Sequence, residues 1–156
     1  MDETVINLLL ANLKHADESV REQATQELWH LWFYQKGISG FQRIKHSQIL
    51  LEADKILQAE AVLTELIGEH PDFAEAWNRR AVLYYSQKYY QKSLHDCQQV
   101  LNLNPVHFGA LHGLGLCCVA LGNYRAAMRA FRQALEVQPY TLVNQKLILE
   151  CTALLS

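Results

Sequence analysis

The three prolines of this chain, Pro71, Pro105 and Pro139, are spaced by 34 residues, and this spacing constrains the fold more than any other feature. Proline lacks the amide hydrogen that a helix requires, and it also restricts the residue before it. Each proline therefore predicts the end of a helix. The predicted ends are His70, Asn104 and Gln138. A fixed period of this length is typical of proteins built from stacked helical units.

Residue size recurs at the same period. In the second half of each unit, small residues align at one position and larger core residues align one helical turn later. These two sets are Ala59, Ser93 and Ala127, followed by Leu63, Cys97 and Phe131. The aligned pairs of the first half are Trp77 with Leu111 and Ala81 with Gly115. A bulky residue followed by a small one suits two helices that approach closely. Gly122 and Asn123 predict a left-handed turn residue and a helix cap.

Taken together, these residues resemble the tetratricopeptide repeat. The matching positions are Ala74 to Asn78, Ala81, Tyr84, Tyr90 and Pro105 in one unit, and Gly113 to Gly115, Leu121 to Tyr124, Ala127, Phe131, Ala134 and Pro139 in the next. Unit 40–73 is degenerate, because Arg43 stands where units 74–107 and 108–141 have Trp77 and Leu111. The stretches Ala74 to Tyr85 and Asn104 to Leu111 look like those of short bacterial members of the family. The resemblance implies an all-α, right-handed solenoid of stacked antiparallel helix pairs.

The segment before the repeats, 1–39, is also predicted to be helical. Its apolar residues form two stripes joined by a turn, which indicates a helical hairpin that caps the amino-terminal end of the solenoid. The second helix begins either from Asp17 as its cap or from a capping box of Ser19 and Glu22. An aromatic cluster lies near the end of the hairpin: Trp29, Trp32, Phe33 and Tyr34. We expect it to pack between the hairpin and the first repeat rather than to bind a partner.

The segment after the repeats, 142–156, predicts a last helix that caps the stack, so that 1–156 forms one domain. Its core stripe is expected to comprise Val143, Leu147, Ile148, Cys151, Leu154 and Leu155. Leu142, Leu149 and Ala153 fall on the opposite side. A helix that is apolar on two sides is either deeply buried or used in association. A self-assembling structural protein that forms a homodimer through this helix is therefore the alternative function.

The net charge and the first residues of the chain argue against binding to nucleic acid and against insertion into a membrane. With 14 Lys and Arg against 16 Asp and Glu, and a net charge of -2, the chain lacks the basic field that holds nucleic acid. The acidic start, Met1 to Glu3, and the polar interruptions at Asn7 and Asn12 argue against an export signal or membrane insertion.

Catalytic and metal sites are not expected. No His-x-x-x-His pair, Gly-rich phosphate loop or Gly-x-Ser-x-Gly motif occurs. The four cysteines, which lack Cys-x-x-Cys spacing, are Cys97, Cys117, Cys118 and Cys151. Cys118 falls in the core register, where a thiol is inert. We therefore expect reduced thiols in the core, a cytoplasmic protein, no cofactor and no enzyme activity.

The first helices of stacked units line the inner surface of such a solenoid. The residues expected there, and hence the predicted partner-binding groove, are Glu75, Asn78, Val82, Tyr85, Ser86, Gly109, His112 and Leu116. This mixture of polar and apolar side chains suits a peptide or helix of an unidentified partner protein, with Tyr85 as the anchor. The chain is thus predicted to be a protein-interaction scaffold or adaptor.

One partner class within the family is disfavoured by the sequence. Members that bind the carboxylate-ended tails of heat-shock chaperones carry lysine, arginine and asparagine in the groove. The corresponding places in this chain hold Ile44, Gln48, Gly109 and Gly113.

A structural ion pair is predicted between Arg80 and Asp96. The aligned residues of the next unit are the apolar Leu114 and Ala130, as though an ionic contact replaced an apolar one. The two sites should face each other across the helical hairpin of unit 74–107.

Overall fold

A computed structural model describes residues 3–156, so Met1 and Asp2 of the predicted hairpin and its acidic start lie outside it. The helices over this range are α1 (Glu3–Asn12), α2 (Glu18–Phe33), α3 (Gly37–Glu52), α4 (Ile56–Glu69), α5 (Ala74–Ser86), α6 (Tyr90–Leu103), α7 (Phe108–Ala120), α8 (Tyr124–Val137) and α9 (Leu142–Leu155). Residues 3–156 contain no strand. Helices α3 to α8 form three antiparallel pairs that stack in chain order, which confirms the predicted all-α solenoid.

The helix ends follow the prolines. Helices α4, α6 and α8 stop immediately before the predicted residues His70, Asn104 and Gln138, which serve as their C-caps. Within each pair, the turn passes through one left-handed residue, and these residues again recur at the repeat period. They are Asp54, Lys88 and Gly122, with φ angles of 61°, 64° and 79°. Only the last is glycine, so the other two turns adopt a conformation that L-residues disfavour.

Close helix packing explains the small residues of the repeat. A side chain at Gly115 would collide with the ring of Phe131 on α8, which is fully buried. The turn before α8 is closed by Asn123, whose Oδ1 accepts a hydrogen bond from the amide of Ala126 at 3.2 Å. Both features agree with the roles predicted from the sequence.

The hairpin of α1 and α2 has a small core of its own. Leu9 and Leu13 of the first helix and its turn pack against Ala24 and Leu28 of the second, and all four are buried. The cap of α2 is Asp17, whose Oδ1 accepts from the Ser19 amide at 2.9 Å. The sequence predicted either Asp17 as the cap or a capping box of Ser19 and Glu22, and the structure has Asp17 as the cap.

The placement of the hairpin corrects the sequence prediction. Instead of covering only the end of the solenoid, α2 crosses the amino-terminal ends of α3, α5 and α7 and reaches the turn before α9. Its contacts along this path run from Tyr34 on Phe41 of α3, through Trp29 on Phe108 of α7, to Arg21 over Tyr140. The aromatic cluster is indeed used for packing, but against all three repeats rather than the first alone.

Helix α9 packs on the last pair through a narrower stripe than expected. Cys151 is buried, and Leu147 and Ile148 pack with Phe131 and Cys118. Val143, Leu154 and Leu155, which were expected in the core, are exposed because no further helix lies beside them in the described part of the chain. No helix within residues 3–156 is long and apolar enough to cross a membrane.

Candidate functional site: the inner groove

The inner faces of α3, α5 and α7 form the groove, and α2 divides it into a covered half and an open half. At the amino-terminal ends of these helices, Glu75 is 0% exposed and Asn78 is 4% exposed. Gly109 lies beneath Trp29. These three residues were predicted to contact a partner, and the structure instead turns them towards the interior, because α2 lies over them.

A polar network lies under α2. The imidazole of His107 lies with Nε2 2.9 Å from Glu75 Oε2, and His107 Nδ1 accepts from the Ala110 amide at 3.1 Å. Since Nδ1 is an acceptor, the ring proton is on Nε2 and is donated to the carboxylate. Glu75 Oε1 accepts from Asn78 Nδ2 at 3.1 Å and from Arg79 Nε at 2.9 Å. Three donors thus satisfy one buried carboxylate.

This network keeps Glu75 ionised. Burial by itself raises the pKa of the carboxyl, but the hydrogen bond from His107, the charge of Arg79 and the hydrogen bond from Asn78 more than offset it. The pKa of Glu75 therefore lies below its ordinary value. The group is a structural carboxylate that fixes the start of α7 relative to α5.

Aromatic rings of α2 close the covered half. Trp32 stacks on His107 with centroids 4.4 Å apart. Trp29 meets the same imidazole edge-on at 5.2 Å and lies 5.8 Å from the guanidinium of Arg79. At Gly109 the backbone leaves room for this indole, since a Cβ there would lie 2.7 Å from Trp29 Cη2.

The open half comprises the carboxyl-terminal parts of α5 and α7, and we call it the open strip. It consists of Val82, Tyr85, Ser86, Leu116, Val119 and Ala120. Val82 is 46% and Tyr85 36% exposed, and the Tyr85 ring is held edge-on against Tyr90 at 5.4 Å. Partial burial, followed by the nearby Tyr90 and Cys117, raises the pKa of Tyr85. Its ring is therefore a neutral, amphipathic contact surface.

His112 occupies an intermediate position. Its Nδ1 lies 2.7 Å from Oδ1 of Asn144 on α9, and the ring lies near Phe131. The residue is half-buried, and its hydrogen bond is already made within the chain. It borders the open strip rather than projecting from it.

Three participants of this site were not identified from the sequence: His107, Arg79 and Trp29. The sequence did contain a sign of the covered site. Glu75 and Gly109 stand at the same position of successive repeats, but one has a charged side chain and the other has none. This difference between the aligned positions of α5 and α7 indicates that a segment outside the repeats packs over them.

On the other side of α5, Arg80 and Asp96 form a bidentate pair. Arg80 Nε lies 2.7 Å from Asp96 Oδ2, and Nη2 lies 3.0 Å from Oδ1. The Asp96 side chain is 1% and the Arg80 side chain 14% exposed. Burial lowers the pKa of Arg80, but the hydrogen bonds and charge of Asp96 outweigh it, so the pKa is raised. The pair joins α5 to α6 away from the groove.

The other buried groups of interest are the cysteines, of which Cys117 has its pKa lowered to about 7 by its hydrogen bond with Cys97. All four cysteines are buried and unpaired, and burial raises the pKa of Cys118. Within residues 3–156, no group of three His, Cys, Asp or Glu side chains is arranged to hold a metal ion.

Comparison with known proteins agrees with the architecture. Residues 72–139 match the family model described as tetratricopeptide repeat. A TPR repeat-containing protein of Rhizobium etli is 42% identical over 77 residues, which make up 49% of this chain and 38% of the relative. The chain therefore matches well under half the length of that relative.

Solved structures of tetratricopeptide-repeat domains have the same fold. The first TPR of Spaghetti (RPAP3) bound to an HSP90 peptide superimposes with a TM-score of 0.70 at 20% identity, covering 73% of this chain and 91% of that one. The Yersinia enterocolitica secretion chaperone SycD in complex with a YopD peptide gives 0.69 at 10% identity, covering 74% and 93%. The Sgt2 TPR domain of Aspergillus fumigatus gives 0.68 at 15% identity, covering 73% and 77%.

Proposed function

We propose that this chain, whose residues 72–139 match the tetratricopeptide-repeat model, is a protein-interaction scaffold whose open strip binds a peptide or helix of a partner protein. The observation that carries the proposal is the exposure of Val82 and Tyr85 beside Leu116 on a concave, rigid surface. Isolated exposed apolar residues are ordinary, but residues from two successive helices on one concave face form a docking surface.

The chemistry of the strip supports an apolar anchor with limited polar contacts. Tyr85 offers a large ring with a hydroxyl tip, and little side-chain freedom is lost when such a ring binds. Ser86 and half-buried His112 lie at its borders. RPAP3 and SycD hold peptides of other proteins, which supports peptide binding by this fold as a class of function.

A chaperone-tail partner has no support in this groove. Ile44, which stands at one of the carboxylate-binding places, is fully buried. Gly109, at another, carries no side chain and is covered by Trp29. The partner is therefore proposed to be recognised mainly by apolar contacts.

Capture of partners from the native cell tests this function. Changing Tyr85 to Ala and Val82 to Ser should weaken capture by about 2 kcal/mol, roughly 30-fold, while helical content and melting temperature stay close to wild type. The matched control is Leu57→Ala, which truncates an exposed apolar residue on α4. Equal capture by the strip variant and the control would remove the open strip from the account.

A second candidate function is self-association through α9. Leu142 and Leu149 are 76% and 70% exposed, and both lie on the side of α9 that has no neighbour among the described residues. Two copies packing these faces together would bury them. Leu149→Glu should give a monomer by sedimentation without loss of helix. A wild-type protein that is already monomeric at high concentration would eliminate this candidate.

No catalytic role is part of the proposal, because the buried carboxylate, histidine and thiols are satisfied by structural contacts. Four unpaired cysteines support a reducing compartment, so we place the protein in the cytoplasm.

A further inference from the structure

We propose that the α1–α2 hairpin is a tethered occupant of the groove, and that the partner segment that displaces it is an amphipathic helix carrying a tryptophan at the place of Trp29. This inference rests on the proposed groove function and specifies the partner. Gly109 is then the residue that determines specificity, since it admits the indole.

The hairpin is able to leave as a unit. Leu9, Leu13, Ala24 and Leu28 of its two helices belong to one apolar cluster, which also includes Phe108 of α7 and, at its edge, Val137 of α8. The only covalent link to the repeats is the short turn before α3, which contains Gly37 with φ +71°. A glycine in this conformation tolerates backbone changes that other residues resist. Displacement therefore keeps the contacts between α1 and α2 and gives up the contacts with Phe108 and Val137.

The floor beneath α2 does not need the hairpin for its hydrogen bonds. Glu75 is satisfied by Asn78, Arg79 and His107, and His107 by the Ala110 amide. Each of these partners belongs to α5, α7 or the turn before α7. Removing α2 would expose this network without breaking it. Leaving a buried polar group unpaired is the usual obstacle to opening a core, and it is absent at this site.

Contact between α2 and the floor is mainly aromatic packing. Trp29 fills the space over Gly109 and approaches the guanidinium of Arg79, while Phe33 lies 4.8 Å from the same guanidinium. Such contacts depend on shape and on a cation beneath a ring. A helix from another protein that presents an indole at the same point would reproduce them.

Most polar ties of the hairpin lie at its edges, although the one between Gln138 Nε2 and Thr25 Oγ1, at 3.4 Å, is partly buried. Lys36 Nζ lies 2.7 Å from Asp72 Oδ2, and Gln35 Nε2 donates to the Asp72 carbonyl at 3.1 Å. At the other end, the guanidinium of Arg21 lies 4.0 Å above the ring of Tyr140. Exposed ion pairs contribute little to stability. These ties position the hairpin but do not lock it.

Tethering gives the hairpin an effective concentration of order millimolar. A partner helix of moderate affinity therefore has to compete with the tethered hairpin, and this competition is measurable. The probe is a fluorescent synthetic peptide of residues 3–36, which carries wild-type Arg21, Trp29 and Lys36. It is titrated against full-length chains by fluorescence anisotropy.

The receiving chains each carry two substitutions. In one, Arg21 and Lys36 are changed to Ser, which removes the contacts with Tyr140 and the Asp72 carboxylate and leaves the Gln35 hydrogen bond. In the matched control, Lys14 and Lys146 are changed to Ser, which makes the same charge change at two exposed positions. We expect the tie-weakened chain to bind the peptide about three- to tenfold more tightly than wild type, as the loss of two weak exposed contacts implies, and the control chain to behave as wild type.

Two further changes identify the recognised group. A peptide with Trp29→Ala should bind the tie-weakened chain at least tenfold less well. Adding Gly109→Val to that chain should abolish binding of the unmodified peptide, while Gly68→Ala, placed in open space on α4, should not. Equal binding by the two peptides would overturn the assignment of Trp29 as the anchor.

A second receiving chain is the full-length protein with Trp29→Ala. It weakens the hairpin's aromatic contacts directly, so the test does not depend on the edge ties alone. If neither this chain nor the tie-weakened chain binds the peptide more tightly than wild type, the hairpin is a fixed part of the fold and the proposal fails. Capture through Tyr85 is measured independently, so the proposed function would survive that result.

Discussion

Replacing Arg80 should lower the free energy of unfolding more than replacing Asp96, because Asp96 is the more deeply buried member of the ion pair. Removing Arg80 leaves the 1% exposed carboxylate of Asp96 with His95 Nδ1, at 3.3 Å, as its remaining side-chain contact among the described residues. An abandoned buried charge typically costs about 3–5 kcal/mol. Arg80→Leu should therefore lower the free energy of unfolding by about 3 kcal/mol, and lower the melting temperature by about 6–12 °C for a chain of this size.

Removing the carboxylate is less costly. In Asp96→Ala the guanidinium retains Thr64 Oγ1 at 3.3 Å and lies near the Trp77 and Tyr84 rings. It can also turn towards solvent. The cost should be about 2 kcal/mol, the value of a lost charged hydrogen bond.

Replacing both residues restores complementarity. The next repeat carries Leu114 and Ala130 at the aligned places, so Arg80→Leu with Asp96→Ala should fall within about 1 kcal/mol of wild type. Urea unfolding of the four proteins gives the double-mutant cycle. Single variants that cost under about 1 kcal/mol, or a double variant equal to the sum of the singles, would refute this reasoning.

Two further predictions concern the turns and the buried carboxylate. Lys88 has φ 64° in an exposed turn, so Lys88→Gly should raise the free energy of unfolding by about 0.5–1 kcal/mol. The control Gln98→Gly, inside α6, should lower it by about 1 kcal/mol; a loss at Lys88 as large as at Gln98 would contradict the assignment of strain. Glu75 has a folded pKa below its ordinary value of 4.5, so its stabilising effect is complete above that pH and is lost as pH falls through the folded value. Urea unfolding between about pH 3 and 7 should show a shallower acid loss for Glu75→Gln than for wild type, and identical slopes would contradict it.

The repeats were predictable from the sequence because their signal is periodic. One period places helix ends at Pro71, Pro105 and Pro139, and it brings Gly115 against Phe131. Each repeat contacts mainly its neighbours, so local pattern determines local packing. The inner faces of α5 and α7 followed directly from this register.

The trajectory of the hairpin could not be predicted in the same way. Its position depends on contacts between distant, unrepeated residues, such as Trp29 with Gly109 and Thr25 with Gln138. Amphipathic stripes show that α1 and α2 pair, but they do not show which surface the second helix covers. Three predicted groove residues, Glu75, Asn78 and Gly109, were therefore expected to face solvent, although α2 covers them in the structure.

Site-specific photocrosslinking tests most directly whether the open strip is the partner-binding surface. A benzophenone amino acid is placed at Val82 in the strip and, in a second protein, at Leu57 on α4, and each is irradiated in extract of the native cell. Both positions are exposed, so both report on whatever lies close to them. The account predicts a discrete partner adduct from Val82 that Tyr85→Ala removes, and no such adduct from Leu57. The same adduct from Leu57, with none from Val82, would contradict it.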